Sequence, residues 1–269
     1  TSRSIVRDTG GYTLDCDTAN ADLIAGAILA IGQPRVFEAI QRYLRAIAPH
    51  DMNAAFLYVD RDPPVRVYDS EGSNQRDTLH DTLAKIGYLL SPYYNGLILT
   101  GAPGGFYHID EVAPDEFRQS EYFEAYYGQK HVRDEGMYLC PLGDGAALVF
   151  MVERHLRSDA FDPELVDALK QVAPVVNAIA ARHVAATGLK GLLPADEPQT
   201  PARFTDIADS FGREVLSPRE RDVALLILKG HSSKSAARSL EISPETERVH
   251  RRRLYAKLGL SSHSELFWL

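Results

Sequence analysis

The chain has 269 residues, 45% of them hydrophobic and 25% charged, which suggests about two globular domains and excludes a mainly disordered, collagen-like or disulfide-framed protein. Only Cys16 and Cys140 are present, without CxxC spacing, and the longest strongly apolar run, Ala146–Val152, is far below the ~20 residues of a membrane span; structural zinc, a secretory leader and membrane insertion are not expected, and a cytoplasmic setting is. The net charge of −8 is uneven: residues 216–269 carry ten Lys/Arg against six Asp/Glu, whereas residues 1–215 carry 19 against 31, so a small basic tail follows a large acidic body.

In chain order, residues 1–19 read as a flexible arm around Gly10-Gly11. Helical spacing begins near Asp22–Ile31 and resumes, after Gly32 and Pro34, through Val36, Ile40, Tyr43, Leu44 and Ile47. Asn53–Asp60 and Pro64–Tyr68 predict a hairpin turning at Arg61-Asp62-Pro63. Arg76–Leu90 predicts a helix, Leu97–Leu99 a short strand, and Pro114–Tyr127 a helix stopped by Gly128. His131–Cys140 and Ala146–Glu153 predict a second hairpin whose turn contains Asp144-Gly145. Asp162 as N-cap and Pro163 behind it open a long helix towards Ala186, with a kink expected at Pro174. The layout is α+β: an α/β sandwich sensor domain over 20–187, a Pro/Asp-rich linker over 188–212, and an all-α domain over 213–269.

The last domain carries the sharpest signals. Ser217-Pro218-Arg219-Glu220 is a capping box, Gly230 ends that helix, and Ser232 or Ser233 opens a short second one. Glu241-Ile242-Ser243 turns into a third helix closed by Leu258-Gly259, and Ser262–Glu265 caps a fourth. Two helices joined by a short turn, the second basic, form a helix-turn-helix layout.

Leu216–Arg221, Gly230, Ser233-Lys234, Ala237, Ile242-Ser243, Thr246, His250 and Lys257-Leu258-Gly259 together resemble the four-helix DNA-binding domain of LuxR/NarL-type bacterial transcription regulators, over about 54 residues in register. At 100° per residue, Leu254 and Leu258 point inward, while Glu245, Arg248, Val249 and Arg252 point the opposite way. Arg forks suit guanine edges and Val249 suits a thymine methyl; the resemblance implies Arg248, Val249 and Arg252 as base readers. Thr246, Arg253 and Lys257 line one flank for phosphates, with Lys234 at the neighbouring helix start. Glu247 and Arg251 depart from the family pattern, which has apolar residues there. They stand four apart in the order that allows pairing; the alternative is that Arg251 swings out to a phosphate.

The remaining body shows no phosphoacceptor receiver pattern. It resembles GAF/PAS-like sensor domains of orphan LuxR-type regulators, by layout and by Phe117–Asp134. Eight of the 13 tyrosines fall between Tyr88 and Tyr138. Tyr88, Tyr94, Phe106, Tyr122, Phe123, Tyr126 and Tyr138 are the candidate ligand-contacting rings; core packing is the competing role. Glu121, Glu124, Asp134 and Glu135 would favour a cationic ligand if they face inward, or form a solvated surface if they do not. His80, His108, His131, His155 and His183 are scattered without metal spacing, and no nucleophile elbow or phosphate loop appears, so neither enzyme activity nor a cofactor is expected. The expected partners are double-stranded DNA with a palindromic operator, a small-molecule effector, a second copy of the chain, and RNA polymerase; control by a protein partner is the alternative to a small molecule. The opposite charges further suggest that the body masks Arg248–Arg253 or sets the spacing of two tails in one state.

Overall fold

A computed structural model of the chain describes residues 18–70, 87–128, 131–192 and 211–269. Residues 1–17 of the expected arm, 76–86 of the expected helix and 193–210 of the linker lie outside the described residues.

Helices α1 (Thr18–Leu29) and α2 (Val36–Ile47) precede the hairpin of β1 (Met52–Val59) and β2 (Val65–Asp69). Val36, Phe37, Ile40, Tyr43 and Leu44 recur at helical spacing, and all are buried. After β3 (Gly105–His108), β4 (Val132–Gly143) and β5 (Ala146–His155) form the second hairpin. Its turn works because Asp144 and Gly145 both adopt left-handed backbone, φ 48° and 73°. The five strands lie in the order β2-β1-β5-β4-β3, each pair antiparallel.

Helix α3 (Pro163–Thr187) starts as its sequence dictates: Asp162 Oδ1 accepts a 2.8 Å hydrogen bond from the Leu165 N–H. It runs through Pro174 as one helix. It packs with α1 and α2 on one face of the sheet, burying Ala55, Leu57, Tyr138, Cys140, Leu148, Phe150 and Val152. Alternation sends Tyr58, Met137, Leu139, Val149 and Met151 to the other face, covered by the irregular segment 87–128. The N-terminal domain is therefore an α+β sandwich.

Two of the expected elements do not form as read, and β3 was not expected. Leu97–Leu99 is not a strand; Tyr94–Ile98 forms a π-helical turn, fastened by Asn95 Nδ2 donating to the carbonyls of Leu89 and Ser91. Three apolar residues are too few to distinguish the two periods. Pro114–Tyr127 is not one helix. It breaks into turns at Phe117–Gln119, Glu121–Phe123 and Glu124–Gly128, because Ser120 leaves helical geometry (ψ 151°) and caps the next turn instead.

The C-terminal domain comprises α4 (Pro218–Leu228), α5 (Ser233–Ser239), α6 (Pro244–Leu258) and α7 (His263–Phe267) around Leu216, Val223, Ala224, Ile227, Leu254 and Leu266. Ser217, Ser232, Ser243 and Ser262 each accept a cap bond from the backbone three residues on.

Candidate nucleic-acid interface and ring-lined face

Helix α6 is placed by Leu254, which is fully buried, and by the left-handed turn at Gly259 (φ 68°) that ends it. Its opposite side carries Arg248, Val249 and Arg252, all exposed; Val249 is 40% exposed although aliphatic. Arg248 lies 3.9 Å from Glu245, an exposed pair that leaves its fork free to turn. Thr246, Arg253 and Lys234 are exposed beside them. Among the described residues, the N-terminal domain leaves Arg248, Val249, Arg252 and Arg253 exposed, so the expected masking of Arg248–Arg253 is not the arrangement seen.

Lys257, expected at a phosphate, also has a partner inside the domain. Its ammonium donates at 2.6 Å to Glu220 Oε2, tying α6 to α4. Glu220 is buried and is also the second half of the capping box, accepting from the Ser217 N–H at 2.8 Å. The Lys257 hydrogen bond, helped by Ser217, holds the Glu220 carboxyl down at about 2. Lys257 thus serves the domain's own carboxylate, a contact between residues 37 apart that linear spacing does not reveal.

The predicted aromatic set divides across the sheet. Tyr88, Tyr94, Tyr122, Phe123 and Tyr126 gather on one face, with Tyr88 and Tyr94 edge to face at 4.8 Å and Tyr122 and Tyr126 stacked at 5.5 Å. Phe106 and Tyr138 do not join them. They pack together on the helix-covered face, and the Tyr138 hydroxyl donates to the Leu169 carbonyl at 2.9 Å. Strand alternation sends Phe106 and Tyr138 to that face.

The ring-lined face also contains Tyr58, Tyr93, Tyr127 and Glu153, which were not among the candidate residues, and Glu135, an acid whose direction the sequence left open. Tyr93 donates to the Glu135 carbonyl at 3.2 Å, and the Tyr127 hydroxyl donates to the Glu135 carboxylate. Glu135 and Glu153 are direct cross-strand neighbours, and both are buried. Burial raises the phenols of Tyr93, Tyr122 and Tyr127 well above the ordinary value, so all three remain neutral donors. Counting alternate residues from Met137 puts Glu135 on this face.

The other acids serve elsewhere. Asp134 faces the opposite side, accepting from His108 at 3.0 Å and from the Phe161 N–H at 2.9 Å. Burial tends to raise its carboxyl, but the His108 hydrogen bond and charge outweigh that and lower it. Glu124 is exposed, and the Glu121 carboxylate accepts from the Ser264 hydroxyl.

Residues 214–269 match the family described as "Bacterial regulatory proteins, luxR family". A protein named as an HTH-type transcriptional regulator in the exeN 3′ region of Aeromonas salmonicida is 26% identical over 170 residues, covering 62% of this chain and 86% of that protein. The nitrate/nitrite response regulator NarL of Escherichia coli K12 is 32% identical over 131 residues; the match takes in 45% of this chain and spans only 58% of NarL. Among solved structures, the LBD domain of VqsR from Pseudomonas aeruginosa superposes with a TM-score of 0.54 at 22% identity, covering 62% of this chain and 98% of that one. The fold of the N-terminal domain is that of the VqsR domain.

Proposed function

We propose, for a bacterial transcription regulator whose residues 214–269 are a luxR-family helix-turn-helix domain, that Arg248, Val249 and Arg252 read base edges and that the N-terminal domain senses a small molecule. The observation that carries the first half is the exposed Arg-Val-Arg set on a helix whose reverse side is fixed in the domain core. Arg253, Thr246 and Lys234 flank it as phosphate contacts, which orient the helix without reading sequence. One such module reads a short half-site, so the reading includes a homodimer on a palindromic operator. Trp268 (58% exposed) and Leu269 (69% exposed) at the end of α7 supply apolar surface suited to pairing.

The sensor reading rests on Glu135 and Glu153, two carboxylates buried side by side among tyrosine rings. Rings offer cation–π attraction, and two adjacent carboxylates attract positive charge, so the ligand class favoured is a small molecule with a cationic group. The test is native mass spectrometry of the full chain purified from a bacterial host, beside Glu153→Gln. A retained small-molecule mass that Glu153→Gln loses supports the reading. A bare polypeptide mass in a preparation that binds its operator contradicts it and favours control by a protein partner.

A further inference from the structure

Among the described residues, the stretch 115–123 carries the hydrogen bonds that dock the DNA-binding domain on the sensor. The Glu116 N–H donates to the Gly230 carbonyl at 3.0 Å, across the turn between α4 and α5. Gly230 allows this approach because it has no side chain: a Cβ there would lie 2.6 Å from Phe117 Cα. The Asp115 carboxylate accepts from the Ser232 N–H at 3.0 Å and from the Ser232 hydroxyl at 2.5 Å. Burial pushes the Asp115 carboxyl up, but the Ser232 hydrogen bonds outweigh it and keep the group ionised. At the far end, Ser264 of α7 donates to Glu121 and Phe267 packs against the ring cluster.

The docked edge adjoins the DNA-binding face. In a helix-turn-helix the helix before the reader crosses the phosphate backbone, and here that helix is α5. Backbone N–H groups, Ser hydroxyls and Lys ammonium groups are the donors that hold phosphates. Asp115 takes the first two at Ser232, two residues from the exposed Lys234. The stretch from 110 to 124 contains Asp110, Glu111, Asp115, Glu116, Glu121 and Glu124 against the single base Arg118, so docking brings negative charge beside that edge. The same stretch sends Phe117, Tyr122 and Phe123 inward to the ring cluster. A cleft of about 240 Å³ between the domains, lined by Gln119, His231, His263 and Phe267, leaves the contact incompletely packed, as suits a separable interface.

From these contacts we propose that the 115–123 stretch is a two-faced latch: its outer face holds the DNA-binding domain in a closed state that opposes DNA binding, and its inner face ties that state to the packing of the sensor's rings. The proposal rests on the DNA-binding reading above. The sensor residue that holds the latch is Asp115, and phosphates compete with it for Ser232. A ligand that repacks Phe117, Tyr122 or Phe123 shifts the latch only by its differential affinity for the two states.

The test measures binding of the full chain to a short DNA duplex by fluorescence anisotropy at low and moderate salt. Asp115→Ala is expected to bind about 3–10-fold more tightly than the unchanged chain, a latch coupling within the ~5–150-fold range of allosteric coupling or just below it. A second chain carries Asp115→Cys and Ser232→Cys, with Cys16→Ser to avoid side reactions. When oxidised it is expected to bind at least about 10-fold more weakly than when reduced, with binding restored by a thiol. Equal binding by oxidised and reduced chains, with the cross-link verified by mass, overturns the latch, as does Asp115→Ala binding no more tightly. If no chain binds any duplex, the DNA-binding reading itself fails and the latch fails with it.

Discussion

Glu247 Oε1 accepts a 2.8 Å hydrogen bond from Arg251 Nε, one turn along α6, in a setting where Glu247 is fully buried. The pair takes the place of apolar residues, and it is incompletely satisfied: Glu247 Oε2, Arg251 Nη2 and the Tyr255 hydroxyl are buried without partners among the described residues. Arg251 also reaches His263 Nε2 at 3.2 Å, so one arginine links α6 to α7.

Removing one member of such a pair strands the other, whereas removing both does not. Glu247→Leu alone is therefore expected to destabilise the C-terminal domain by about 3 kcal/mol. The double variant Glu247→Leu, Arg251→Leu is expected to be neutral or more stable by ~1–4 kcal/mol. Urea unfolding of the three chains measures this; a double variant weaker than the single one would refute the account.

Lys257→Met is expected to weaken the fold rather than only the DNA affinity, because it strands the Glu220 carboxylate. With Lys257 43% exposed, the loss is about 1 kcal/mol. The folded-state Glu220 carboxyl is depressed to about 2, so the pair's contribution is complete above the ordinary carboxylate value near 4.5 and is lost as pH falls towards about 2. NMR titration of Glu220 checks the cause: in Lys257→Met its midpoint should move up.

Base readers and phosphate contacts separate by their salt dependence. Arg252→Ala should cost about 1–3 kcal/mol on the preferred sequence and relax preference at one position. Arg253→Ala should weaken all sequences alike and reduce the salt slope by about 1. Equal, sequence-blind losses from both would contradict the assignment of roles.

His50 is expected to make the N-terminal domain acid-sensitive. Burial lowers its imidazole to about 4; Nδ1 lies 2.9 Å from the Ala48 carbonyl, and Nε2 has no partner among the described residues. The unfolded chain takes up a proton first, so the neutral form's stability is complete above about 6.5 and is lost as pH falls to about 4. The full loss is roughly 3 kcal/mol. Urea midpoints between pH 4 and 7 should fall more steeply for the unchanged chain than for His50→Asn.

The C-terminal domain was legible in the linear order because its signals are local. A Ser cap, a Pro behind it, Gly at a helix end and the Glu247–Arg251 spacing all act within one or two turns, and each occurs as read. The long closing helix and both hairpins were legible for the same reason. Tertiary structure alone decided what depends on contacts between distant residues. Lys257 meets Glu220 only because α4 and α6 cross. Phe106 and Tyr138 separate from the other rings because a strand alternates its faces, and Glu135 meets Glu153 only through the β4–β5 register. The Asp115–Ser232 contact joins residues 117 apart, across a domain boundary, and no local pattern encodes such a meeting.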